Sequence, residues 1–287
     1  MNRLSREKQV QVLKSLIEGN SIRATVRMTG AAKDTVIKLL VAAGNACADY
    51  QDGAIRNLNC KRIQCDEIWA FVGAKDKNVP TEKRGQFGLG SVWTWVAIDA
   101  DTKLVPSFLV GNRDVQSAHM FMQDLAHRID SRIQLTTDGL RAYLVAVNGA
   151  FGLDVDFATL HKLYGIPAAG DGEGERRYTP PVCIGCKAAT ITGRPDPEHI
   201  STSYVERQNL TMRMSIRRFT RLTNAFSKKV ENLAYHVALY FMYYNFCRVH
   251  QTLRVTPAME SGISNHIWEV EEILSMMDAK AAESRVA

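Results

Sequence analysis

Apolar and polar positions follow two different rhythms along this chain. From residue 5 to 45 the rhythm is helical. Val10, Leu13, Leu16 and Ile17 recur at the spacing of one helix face, behind a Ser5-Arg-Glu-Lys start. Gly19-Asn20 ends that helix, and Ser21 is a natural N-cap for a second one running through Met28. Thr29-Gly30 forms the turn, and a third helix is expected over 33–43 with Val36, Leu39 and Leu40 facing inward. Its outer face offers Lys33, Asp34, Thr35 and Lys38. A three-helix interaction module would share this pattern, but the short turn and basic surface favour a helix-turn-helix that reads DNA.

Residues 46–60 lack any apolar period, and 49–60 is expected to be a linker. The rhythm then changes to β. Segments 62–72, 92–99, 104–110, 133–136 and 155–160 are rich in β-branched and aromatic residues and predict five strands. Helices are expected over 115–129 and 140–147, between the third and fourth and between the fourth and fifth strands. Segment 165–203 is Gly/Pro-rich and predicts a long loop. Helices over 204–220 and 227–246 follow, then a helical tail from about residue 267. This order is that of a ribonuclease-H-like α/β fold. The expected architecture is a mixed five-stranded sheet flanked by helices, preceded by a small all-α helix-turn-helix domain. Its units would be 1–48 (helix-turn-helix), 49–60 (linker), 61–262 (α/β domain with the long loop 165–203) and 263–287 (tail).

Three acids stand out against this frame. Asp66 lies inside the apolar first strand, where an ionised carboxylate is costly unless paired or metal-bound. Asp138 closes the fourth strand ahead of Gly139, and Glu206 lies on the helix after the long loop. First and fourth strands are neighbours in the ribonuclease-H order, so Asp66 and Asp138 could meet. Three carboxylates suit hard cations that prefer oxygen ligands. A pair of such ions can serve both the attacking and the leaving oxygen of a displacement at phosphorus. Singly, the three would be a salt-bridged strand residue, a turn-former and a capping acid; in this order they point to a metal site. Val205, Met212, Ile216 and Phe219 form a narrow core-facing stripe, with Glu206, Arg213 and Arg217 on a parallel one. The arginines could hold phosphate beside the metals.

Charge distribution sharpens the reading. The 287 residues carry a net +6, but residues 3–38 hold eight Lys/Arg against three acids and residues 204–231 hold seven against two. Each stretch is therefore +5 and the remainder −4. Solvated helix faces carry such runs too, but two of them beside candidate metal ligands point to a polyanion. The candidate DNA contacts are Lys33, Thr35, Lys38, Arg207, Arg213, Arg217 and Arg218. Six scattered cysteines do not resemble a secreted disulfide framework, and no apolar run reaches a membrane span. A cytoplasmic protein, nucleoid-associated when bound to DNA, is expected. Cys183 and Cys186 have metal-ligand spacing, but no second pair follows, and they are expected to be loop cysteines. Asp99 and Asp101 look like turn acids, and Asp154 and Asp156 are the main rivals of Asp138. Trp93 and Trp95 read as strand residues.

Cys65-Asp-Glu-Ile-Trp-Ala-Phe-Val-Gly, Thr137-Asp-Gly and Tyr204-Val-Glu-Arg-Gln-Asn resemble the three acidic motifs of DDE transposases, closest to the insertion-sequence-one family. The likeness continues through Leu210-Thr-Met-Arg and spans roughly residues 5–262. Arg213, seven positions after Glu206, fits the basic residue often found there. Tyr244-Asn-Phe-Cys-Arg-Val-His-Gln-Thr-Leu, followed by Thr256-Pro-Ala, is similar to a segment near the end of many integrase-like domains, with Tyr244, Asn245 and His250 read as supports. The resemblance implies two Mg²⁺ or Mn²⁺ ions held by Asp66, Asp138 and Glu206. It also implies recognition of double-stranded element ends by the amino-terminal domain, hydrolysis that frees a 3′-hydroxyl, and attack of that hydroxyl on target DNA. Joining two ends implies at least a homodimer. The amino-terminal region lacks the four-cysteine cluster of some relatives, which leaves the helix-turn-helix as the recognition unit. The rival reading is a DNA-binding repressor or architectural protein that has lost catalysis.

Overall fold

A computed structural model describes residues 4–165, 182–220 and 223–286. Three helices open the chain: α1 (Arg6–Ile17), α2 (Ile22–Thr29) and α3 (Lys33–Ala54). The caps are those the sequence predicts. Ser5 Oγ accepts from the Lys8 amide at 3.4 Å and Ser21 Oγ from the Ala24 amide at 3.1 Å. Gly30, at φ 68°, closes α2 in the left-handed conformation.

The sheet is mixed, with strand order β3-β2-β1-β4-β5-β6. Its strands are β1 (Arg62–Val72), β2 (Gly90–Asp99), β3 (Phe108–Gly111), β4 (Ile133–Thr137), β5 (Val155–Gly165) and β6 (Val182–Thr192). β1 pairs antiparallel with β2 and parallel with β4, so the expected first and fourth strands are neighbours. Helices α4 (Val115–Ala126) and α5 (Arg141–Phe151) follow β3 and β4. After β6 come α6 (Ser203–Ser215), α7 (Val230–Met242), the short α8 (Pro257–Glu260) and α9 (Val270–Val286). Strand alternation sorts the core into two clusters. Ile63, Cys65, Trp95 and Ala97 are buried with α4 and α5, and with the amino-terminal helices. Ile68, Ala70, Val96 and Ile98 are buried with Val205 and Met212 of α6 and with Leu233, Val237 and Phe241 of α7.

Four expectations change. The sheet has six strands, because β6 lies inside the expected 165–203 loop and pairs antiparallel with an extended β5. Its side chains are mostly exposed and its Gly185-Cys-Lys-Ala-Ala middle shows no apolar alternation, so only the β-branched residues at its two ends, Val182, Ile184 and Thr190-Ile-Thr, hinted at a strand. Residues 166–181 of that loop lie outside the described residues. Next, α3 runs on to Ala54, through the start of the expected linker. Ala46, Cys47 and Gln51 are buried there, and the Gln51 amide donates to the carbonyls of Cys47 and of Ala238 on α7, each at 3.0 Å. The close α3–α7 crossing also explains Gly44, where a Cβ would collide with the backbone of Tyr235.

The third strand begins at Phe108 rather than 104. Val105 has its N–H and C=O taken by the side chain of Asn245 at 3.0 Å each, a substitute for a ladder partner. Tyr244 OH donates to the Lys103 carbonyl at 3.1 Å, so these two residues act as the supports the sequence predicts. Finally, the helix expected over 204–220 stops at Ser215, and Arg217–Phe219 form a separate 3₁₀ turn. Among the described residues no helix is long and apolar enough to cross a membrane.

Candidate active site

The register of β1 against β4 builds the site. Cys65 pairs with Thr137, the last residue of β4, so Asp66 and Asp138 come level where β4 stops. β1 has no β4 neighbour beyond that point, and polar side chains can reach the gap. One carboxylate oxygen each of Asp66, Glu67 and Asp138 lies within 4.8 Å of the others. Asp66 and Asp138 also line a cleft of about 800 Å³, together with Glu206, Arg113, His161, Lys162 and Thr202. Glu206 therefore faces the same cleft but stands outside the tight carboxylate group.

Each acid has a distinct environment. Asp66 accepts from the Asn209 amide at 2.9 Å. Burial, the neighbouring Glu67 charge and Asp138 push its carboxyl up to about 7, against partial relief from hydrogen bonds. Glu67 faces the opposite side of β1 and is buried. Its Oε1 accepts from Arg113 Nε at 2.7 Å and its Oε2 from Tyr143 OH at 3.1 Å. Burial and the Asp138 charge raise its pKa, and the Arg113 bond pulls it back. The Arg113 guanidinium stacks on Trp93 with its carbon 4.7 Å from the ring centroid, and reaches to 3.9 Å from Asp138. Asp138 Oδ1 also accepts from the Leu140 amide at 2.9 Å, fixing the turn into α5.

Glu206 occupies the first turn of α6, where exposed amides favour an acid. Thr202 donates to its Oε1 at 2.7 Å, and Lys162 on β5 forms an ion pair with Oε2. Two contacts tie this helix to β1. The Gln64 Oε1 caps α6, accepting from the amides of Tyr204 at 2.8 Å and Val205 at 3.3 Å. Asn209, one turn on, holds Asp66.

Sequence reasoning thus names three acids of this cleft and misses Glu67, Arg113, Tyr143, Lys162 and Asn209. Glu67 and Asn209 stood in the quoted motifs. Strand alternation, which sends Glu67 to the face opposite Asp66, hid the first. Arg113, Tyr143 and Lys162 are brought in by tertiary packing, for which the chain offers no local signal.

The expected DNA contacts fare unevenly. Lys33, Lys38, Arg207 and Arg217 are exposed, and Thr35 is half-buried. Arg213 is half-buried, with its guanidinium 3.3 Å from the Phe219 carbonyl, and Arg217 no longer shares its helix. Arg218 requires a correction. It is buried, donates to His236 Nδ1 at 2.9 Å and bonds Ser227, so it cannot meet a phosphate from solvent. Asp154 and Asp156 pair with Arg132 at the start of β5, and Asp99 accepts from Asp101 and Thr102 in its turn, so none competes with Asp138. Cys183 and Cys186 lie exposed on β6, with no third ligand near enough to complete a metal group among the described residues.

No protein-family model matches the chain, and no curated protein matches it. One solved structure to which it is similar is a piggyBac transposase synaptic complex with hairpin DNA. The two share 10% sequence identity over 97% of this chain and 73% of that one, with a TM-score of 0.36. A likeness of that size leaves the chemistry to be argued from the residues themselves.

Proposed function

We propose that this chain is a DDE-type transposase with a ribonuclease-H-like core, acting on the ends of a DNA element. The observation that carries the reading is the β1–β4 register, which sets Asp66 level with Asp138 in a cleft that Glu206 also lines. The motifs around these acids are those of the insertion-sequence-one resemblance, and the amino-terminal helices are then the unit that recognises the ends. A homodimer, or a larger assembly on DNA, would bring two ends together.

The residues fit a divalent metal. The donors are all carboxylate oxygens, and burial together with repulsion from Glu67 and Asp138 raises Asp66 to about 7, a penalty that a nearby cation relieves. Asp66 and Asp138 would hold it, with Glu206 as the third ligand of the site and Glu67 directly behind. When bound, Mg²⁺ or Mn²⁺ supplies charge neutralisation and activation of an oxygen nucleophile at phosphorus. The chain's own part is positional. Asn209 orients Asp66, the Leu140 amide orients Asp138, and Thr202 orients Glu206. Arg113 is braced by Glu67 and Trp93, and lines the cleft where a phosphate would lie. Lys162 must yield Glu206 for that carboxylate to serve as a ligand, and it then remains as a second cation beside the phosphate.

The test is incubation with Mg²⁺ and DNA bearing the element's inverted repeats, comparing the wild type with Asp66→Asn, Asp138→Asn and Glu206→Gln. Cleavage and strand transfer by the wild type alone is the expected result. Equal transfer by Asp66→Asn would remove Asp66 from the mechanism. Specific binding of the ends with no cleavage by any form would favour the repressor.

A further inference from the structure

The two basic stretches of the sequence meet in space, away from the carboxylate cleft. β1 runs past Asp66 to Val72, and Val72 forms an isolated bridge with Ser227. That contact brings Phe71 against Phe226, ring centroids 4.6 Å apart. Lys75 Nζ lies 5.7 Å from the Phe71 centroid and Lys228 Nζ lies 3.3 Å from that of Phe226. Partial burial lowers the Lys228 pKa, and the charge of Arg23 on α2, close by, lowers it further. Beneath them Arg218 is bonded, among the described residues, to the neutral groups Ser227 and His236, and burial lowers its pKa to about 10.

Among the described residues, no acid neutralises this group, and Arg23, Lys75, Lys228 and Arg218 form no ion pair. The nearby Asp76 is turned to Ser91, accepting from its amide at 2.7 Å. Like charges gathered without counter-ions create a local positive potential that an anion relieves. The stems of the lysines are steadied by aromatic faces, which lowers the entropy lost on binding. The two rings are packed on each other, with Phe71 buried, so they are not free to stack on unpaired bases. The chemistry is therefore that of phosphate contact. From Asp66 to Val72 the strand rises about 20 Å, roughly six base pairs of duplex.

We propose that Arg23, Lys75 and Lys228 form a sequence-independent contact for the phosphate backbone of duplex DNA, lying between the amino-terminal helices and the carboxylate cleft. It rests on reading the cleft as one that acts on DNA. The surface holds the flank of a duplex whose scissile phosphate is at the acids, and it couples the helices that select an end to the site that cuts it.

The experiment uses the full chain in EDTA with a labelled duplex of arbitrary sequence, long enough to span both cleft and surface, titrated at several salt concentrations. Replacing both lysines (Lys75→Gln with Lys228→Gln) should make the slope of log affinity against log salt shallower by about 1.8, two phosphates at about 0.9 each. Lys75→Arg with Lys228→Arg should keep the wild-type slope. Arg23→Gln, on a different element from the two lysines, should lose about 0.9 by itself. An unchanged slope in the double glutamine variant overturns the proposal, as does wild-type binding to phosphatidylserine vesicles but not to duplex. A shallower slope in a protein that shows no Mg²⁺-dependent cleavage leaves the surface standing and fells the catalytic reading. Cleavage with an unchanged slope does the reverse.

Discussion

Glu67 is a buried acid whose environment cannot be disturbed without cost. Its side chain is 1% exposed, and it relies on Arg113 and Tyr143 for its hydrogen bonds. Arg113→Ala should therefore cost about 2–4 kcal/mol, because a buried acid loses its charged partner. The check is the midpoint of urea unfolding. Pairing the change with Glu67→Gln should recover much of the loss, since no carboxylate is then left stranded. A midpoint that does not move in Arg113→Ala would mean that Glu67 is already protonated and needs no guanidinium. Arg218 makes a parallel case. Burial lowers its pKa to about 10 and, with the Arg218 charge, takes its partner His236 down to about 3, so the histidine accepts as a neutral ring. An arginine that sequence alone assigned to DNA is thereby a member of the core.

Among the elements, the join between β1 and α6 governs the geometry of the cleft. Gln64 is two residues before Asp66 and caps the helix that carries Glu206, so strand and helix share one hydrogen-bonded hinge. Gln64→Ala should destabilise the fold by about 1–2 kcal/mol through the lost cap. Strand transfer should fall further than that loss explains, because Glu206 would no longer be held at a fixed distance from Asp66. Transfer that stays at the wild-type level in folded Gln64→Ala would mean that Thr202 and Asn209 suffice. These joins also mark what could be read from the chain. The helix starts at Ser5 and Ser21, the inner strands and the three motif acids were legible, because capping, β-branching and buried charge leave local signatures. β6 was not, since an exposed edge strand needs no apolar alternation. The end of α3 was not, since its polar Gln51 is buried by bonding Ala238, far away in the sequence.

At the scale of the whole molecule, the carboxylate cluster should make stability depend jointly on pH and divalent cation. The folded Asp66 titrates at about 7, above the unfolded value of about 3.9. The folded state thus binds the proton more tightly than the unfolded chain. Across this interval stability falls as pH rises, and the penalty is complete above the folded pKa. In EDTA the melting temperature should accordingly drop between about pH 4 and pH 7 by more than it does in Asp66→Asn, which lacks this titration. A cation competes with that proton, so Mg²⁺ should raise the melting temperature at pH 8 and have little effect at pH 5. At a hundredfold excess over its dissociation constant the gain is about 2.7 kcal/mol. Other acids titrate in the same range, and subtracting the Asp66→Asn profile from that of the wild type isolates the cluster. If the two profiles coincide with and without Mg²⁺, Asp66 neither carries the repulsion nor meets the ion, and the metal-dependent reading of the cleft loses its physical basis.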